Sequence, residues 1–113
     1  MSAPAEERPP GLQVGRVGEA PIDRVLDRIQ KSVDVLLANP ALLDDTATSN
    51  LTKVVNGYLH EILAQYQRIP HAWRDRQLPR GGTPRSATGR SLELFALLLQ
   101  RDEERIYGRS ANY

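Results

Sequence analysis

Cysteine is absent from this 113-residue sequence. That excludes disulfides, thiolate nucleophiles, zinc–thiolate sites and iron–sulfur clusters together. Histidine is nearly absent as well, with His60 and His71 the two copies. His60-Glu61 begins like a zinc-hydrolase helix, but the second histidine of that pattern would fall on Ala64. Gly89-Arg90-Ser91 ends like a phosphate-binding loop, yet the required upstream glycine is Pro84 and the lysine is Arg90. There is no G-x-S-x-G elbow. Asp44-Asp45 lacks the alternating acids of a calcium loop and suits a helix start instead. No nucleophile, base pair or metal cluster emerges, so the expectation is a protein that is not an enzyme and has no cofactor, metal or small-molecule substrate. Long apolar runs are missing too. Nothing reaches the roughly 20 residues of a membrane span, and no basic start leads into an apolar signal segment. These absences predict a soluble, intracellular (cytoplasmic) protein without a membrane partner.

What is present is helical patterning. From Pro21 to Ala38 the apolar residues are Ile22, Val25, Leu26, Ile29, Val33, Leu36 and Leu37. From Thr48 to Arg68 they are Leu51, Val54, Val55, Tyr58, Leu59, Ile62, Leu63 and Tyr66. Both sets recur at i, i+3, i+4 and i+7, the spacing that lines one face of an α-helix. Pro21 suits a first helical turn, and Pro40 and Pro70 lie where the two helices should stop. Between them, residues 39–45 read as a short turn with Leu42 and Leu43 tucked inward. Gly57 interrupts the second stripe, either as a tolerated weakness or as a close helix crossing.

A third helix is expected over 87–107, capped by Ser86, Thr88 or Ser91 and stopped at Gly108. Its first half, Leu92 with Leu94 to Leu99, is apolar on nearly all sides. A helix of that kind has to be surrounded, and two amphipathic partners cannot cover all of it. The uncovered side, with Leu94, Phe95, Leu97 and Leu98, is therefore the candidate protein interface. The predicted fold class is all-α: a small three-helix bundle with a disordered, Pro/Gly-rich arm at 1–20, a helical domain at 21–113 and an Arg/Gly/Pro-rich loop at 69–86. Trp73, the single tryptophan, is expected to cover the end of the bundle.

Charge is unevenly placed. Residues 1–66 sum to −3 and residues 67–113 to +4, and thirteen of the fifteen cations are arginine. Arginine favours contact with carboxylates and phosphates. Two functions follow. The first is a helical protein–protein interaction or assembly module, a self-associating accessory subunit of a larger complex. The alternative is an oligomeric nucleic-acid-binding subunit, of a virus-packaging or regulatory type, touching phosphates through Arg74, Arg76, Arg80, Arg85 and Arg90. Helix-turn-helix spacing is lacking, so groove reading is not expected.

Overall fold

The computed structural model describes residues 12–39 and 43–111; the expectations for residues 1–11 and for Leu42 lie outside them. The described chain is all-α, without strands. It forms α1 (Ala20–Leu37), α2 (Asp45–Lys53), a π-helical stretch (Val54–Leu59), α3 (His60–Gln67), a single-turn α4 (His71–Arg74) and the long α5 (Pro84–Ala111). Residues 45–67 run without a break, so there are four helical segments where the pattern predicts three.

One core joins them. It holds Ile22, Val25, Leu26, Ile29, Val33 and Leu36 of α1, Leu51, Val55, Leu59, Leu63 and Tyr66 of the second rod, and Leu92, Ala96 and Leu99 of α5. On the second rod, the residues Leu51, Val55, Leu59 and Leu63 are spaced by four. In an α-helix each such step drifts about 40° around the axis, so the set would spiral off the core. The wider π turn takes up that drift and keeps all four buried. Tyr58, which the stripe places inside, is instead 65 % exposed. Gly57 sits in the π stretch, and a Cβ built there meets nothing within 4 Å. The close-crossing reading of Gly57 therefore fails.

The predicted arm is corrected from residue 12 onward. Leu12 and Val14 are buried in the core. The Gln30 side chain holds this segment by its main chain: its Oε1 accepts from the Val14 N–H at 2.7 Å and its Nε2 donates to the Leu12 carbonyl at 3.3 Å. His60 Nε2 donates to the Gln13 carbonyl at 3.0 Å. Sparse hydrophobic content suggested a loose tail, but two side chains with saturated backbone groups suffice when a groove awaits them.

The boundaries of the last helix also move. α5 begins at Pro84, three residues early, because Thr83 and Ser86 cap each other: Thr83 Oγ1 accepts from the Ser86 N–H at 3.1 Å and Ser86 Oγ from the Thr83 N–H at 2.9 Å. It runs past Gly108, which does not adopt the positive φ of a helix-ending glycine. The expected loop shrinks accordingly. In what remains of it, the N–H of Gly81 reaches the Leu78 carbonyl and the Leu78 N–H reaches the Gly82 carbonyl, at 2.9 and 2.8 Å. That double turn needs φ of +95° and +75° at Gly81 and Gly82.

Two glycines should respond oppositely to alanine. Gly57→Ala removes a helix-weakening residue at an open position and should raise stability by about 0.5–1 kcal/mol. Gly15→Ala forces a side chain onto a residue at φ +91° and should lower stability by about 1 kcal/mol or more. Urea midpoints for the two variants check both signs.

Candidate functional site

The arginines fall into two groups. Arg74 and Arg85 are spent inside the molecule. Both reach Glu19, the N-cap residue of α1. Arg74 Nη1 donates to Glu19 Oε2 at 2.7 Å, and Arg85 Nε donates to Glu19 Oε1 at 2.8 Å. The Tyr66 hydroxyl donates to the same Oε1 at 2.7 Å. Arg74 is buried and also donates to the Ile69 carbonyl at 2.9 Å, while its guanidinium lies 4.7 Å over the Tyr66 ring. On its far side Arg85 grips Asp75 through both carboxylate oxygens, at 2.6 and 2.8 Å. Of the five arginines named as phosphate contacts, Arg74 and Arg85 are thus ones that meet carboxylates within the chain. The sequence reading missed the hub because Glu19 lies in a stretch that reads as a tail. Its position just before the Ala20-Pro21 helix start is the signal that could have exposed it.

Burial pushes the Glu19 carboxyl up, but the hydrogen bonds from Tyr66, Arg74 and Arg85 outweigh it and hold the group below the usual carboxylate range. The Tyr66 hydroxyl moves the other way, raised by burial and by its bond to Glu19. Three donors take three of the roughly four acceptor positions of this carboxylate. The cluster joins four elements.

Arg76, Arg80 and Arg90 form the second group. They are exposed, and none makes an ion pair with a described residue. Arg76 lies 4.2 Å over the Trp73 ring. Trp73 itself is 49 % exposed, so it does not cover the bundle end as the sequence suggests. His71 opens α4, with Nδ1 3.3 Å from Arg74 Nη1. No group of acids and histidines capable of holding a metal ion occurs among the described residues. None of their helices is long and apolar enough to cross a membrane.

The remaining candidate surface is on α5. Its inward stripe is Leu92, Ala96 and Leu99. Its outward side carries Leu94, Leu97 and Leu98, exposed by 62, 51 and 55 %. Phe95 differs from its three neighbours: it is half-buried against the core, and its ring lies 6.3 Å from that of Tyr58 at a tilt of 39°. The four residues named from the sequence thus divide into three exposed leucines and one aromatic at their inner border. Tyr58, displaced outward by the π stretch, extends the apolar border beyond Phe95. An exposed leucine alone is ordinary, but three within five residues of one helix are a feature of contact surfaces.

The ion cluster yields a measurable expectation. Glu19→Gln keeps the shape but leaves two guanidinium groups facing a neutral amide, so stability at neutral pH should fall by about 3 kcal/mol. A carboxyl whose folded value lies below its unfolded value stabilises at any pH above the unfolded one, about 4.3. That contribution is lost as pH falls through the folded value. The native chain should therefore lose stability in that acid window, and Glu19→Gln should show a flatter acid limb. Urea unfolding between pH 7 and 2.5 measures both slopes.

Compared with known protein families, with curated proteins and with solved structures, the chain matches none.

Proposed function

We propose that this protein is a small helical assembly module that self-associates through the outward side of α5 and serves as an accessory subunit of a larger complex. The observation that supports this is the exposure of Leu94, Leu97 and Leu98 on a helix whose opposite side is fully packed. Covering a leucine that would otherwise stay wet is worth about 1.5–3 kcal/mol. Three partly exposed ones supply several kilocalories per copy, enough for association at high local concentration once binding entropy is subtracted. Tyr58 and Phe95 edge the patch with aromatic surface, the kind enriched in contact cores. The cluster around Glu19 gives the reading a rigid base, because it fixes where α5 enters the fold.

The nucleic-acid alternative retains three of its five arginines. Arg76, Arg80 and Arg90 are free to meet phosphates, but Arg74 and Arg85 are committed to carboxylates. That thins the cationic surface on which the reading rests.

Sedimentation equilibrium from about 1 µM to 1 mM tests the assembly reading, since weak contacts lie in that range. The unmodified chain should associate. Leu97→Asp places a charge on an exposed position, so the oligomer should dissociate while helical circular dichroism is kept. A chain that stays monomeric throughout contradicts self-association. So does Leu97→Asp if it unfolds, for then the residue belongs to the core. Salt-sensitive binding to a generic duplex without self-association would favour the phosphate reading instead.

A further inference from the structure

The outward strip of α5 carries charge as well as leucine. Arg90, Glu93, Leu97, Arg101 and Glu104 follow at steps of three, four, four and three, which keeps them on one side of an α-helix. Arg90, Leu97, Arg101 and Glu104 are exposed, and Leu94 borders them. Glu93 is half-buried and accepts from Arg28 of α1 through both carboxylate oxygens, at 3.0 and 3.2 Å, with its side chain 46 % exposed.

Read outward from Leu97, the charges invert. Four residues before it stands an acid, Glu93, and four after it a base, Arg101. Seven before stands a base, Arg90, and seven after an acid, Glu104. Eleven residues away on either side are the small Ser86 and Gly108. Two copies of this helix laid antiparallel and crossing at Leu97 put Arg90 opposite Glu104 of the second copy and Arg101 opposite its Glu93. Symmetry makes each pairing occur twice. Leu97 then meets its own counterpart, and the small end residues let the helices stay close. A parallel pairing sets every charge against itself, arginine on arginine and glutamate on glutamate.

We propose that the partner of the α5 face is a second copy of this chain, held antiparallel about Leu97, so that assembly through this face closes as a two-fold dimer. The pattern is self-complementary, which is what an isologous interface requires, and an isologous contact stops at two. The charges fix the register and the leucines supply the attraction. This rests on the assembly reading above but adds orientation, register and stoichiometry, each of which can fail while that reading stands.

Charge complementation tests it in the full-length chain. Arg90→Glu alone turns two attractive pairs into repulsive ones, and Glu104→Arg alone does the same. Each should weaken the dimer roughly 10- to 30-fold at low salt. Mixed together, the two variants should recover the association of the unmodified protein to within about threefold, because every facing pair is then opposite in sign. High salt should narrow the differences. Both positions are exposed, and circular dichroism confirms that the fold is kept. If the unmodified chain dimerises and Leu97→Asp abolishes it, yet neither charge reversal weakens it, the face stands and the antiparallel register is overturned. A species larger than a dimer overturns the closed two-fold arrangement. If the unmodified chain is monomeric at every concentration, this proposal and the assembly reading fall together.

Discussion

A single partly buried carboxylate organises the geometry of this protein. Glu19 starts α1, and its main-chain carbonyl accepts from the N–H groups of Ile22 and Asp23 at 3.1 and 2.8 Å. Its side chain gathers donors from Tyr66 on α3, Arg74 on α4 and Arg85 on α5. Ion clusters of this kind add little net stability over a well-packed apolar substitute, because removing charge from water is costly. Their value here is positional. Once Arg85 is anchored between Glu19 and Asp75, the first turn of α5 has one direction to take. Leu92, Ala96 and Leu99 then face the core, and Leu94, Leu97 and Leu98 face away from it.

The same arrangement decides what the arginines can do. In the sequence, Arg74, Arg76, Arg80, Arg85 and Arg90 look like one cationic run. In the fold, they separate by neighbour. Arg74 and Arg85 are paired with the partly buried Glu19 and, for Arg85, with the exposed Asp75, whereas Arg76 rests on Trp73 and Arg80 and Arg90 stand in solvent. A cation already paired with a carboxylate of its own chain contributes less to a phosphate footprint than a free one. The proposed role in assembly leans on α5 for that reason, with the free arginines as a solvated margin and Arg90 as one member of the charge pattern about Leu97.

The helices were legible because burial of a single face imposes a period, and residues 22–36 and 51–66 carry that period openly. Three features were not legible, each for a physical reason. The π stretch follows from leucines and valines spaced by four, a pattern that resembles an α-helical stripe until the angular drift is summed. The packing of Leu12 and Val14 depends on a groove contributed by α1 and α3, and on Gln30 and His60 satisfying their backbone neighbours. Local composition contains none of that. The Glu19 cluster joins residues 47, 55 and 66 positions apart, and pairing over such distances is not written in any local motif. The excess of leucine on α5, by contrast, was plain: more apolar surface than this chain can cover. Only the fold could sort it, assigning Phe95 to the inner border with Tyr58 and the three leucines to the outside.

The central claim is that α5 has two working sides, one for its own core and one for a second copy lying antiparallel to it. The chain has no native cysteine, so single spin labels can be placed beside the charged strip, at the exposed positions Ser91→Cys and, separately, Arg105→Cys. Dipolar spectroscopy on each then reports the distance between copies. At a rise of 1.5 Å per residue, an antiparallel pair centred on Leu97 separates the two labels at position 91 by about 18 Å along the helix axis and those at position 105 by about 24 Å. Short distances at both positions would mean a parallel pair, and no dipolar coupling at either under associating conditions would mean that α5 is not the contact at all.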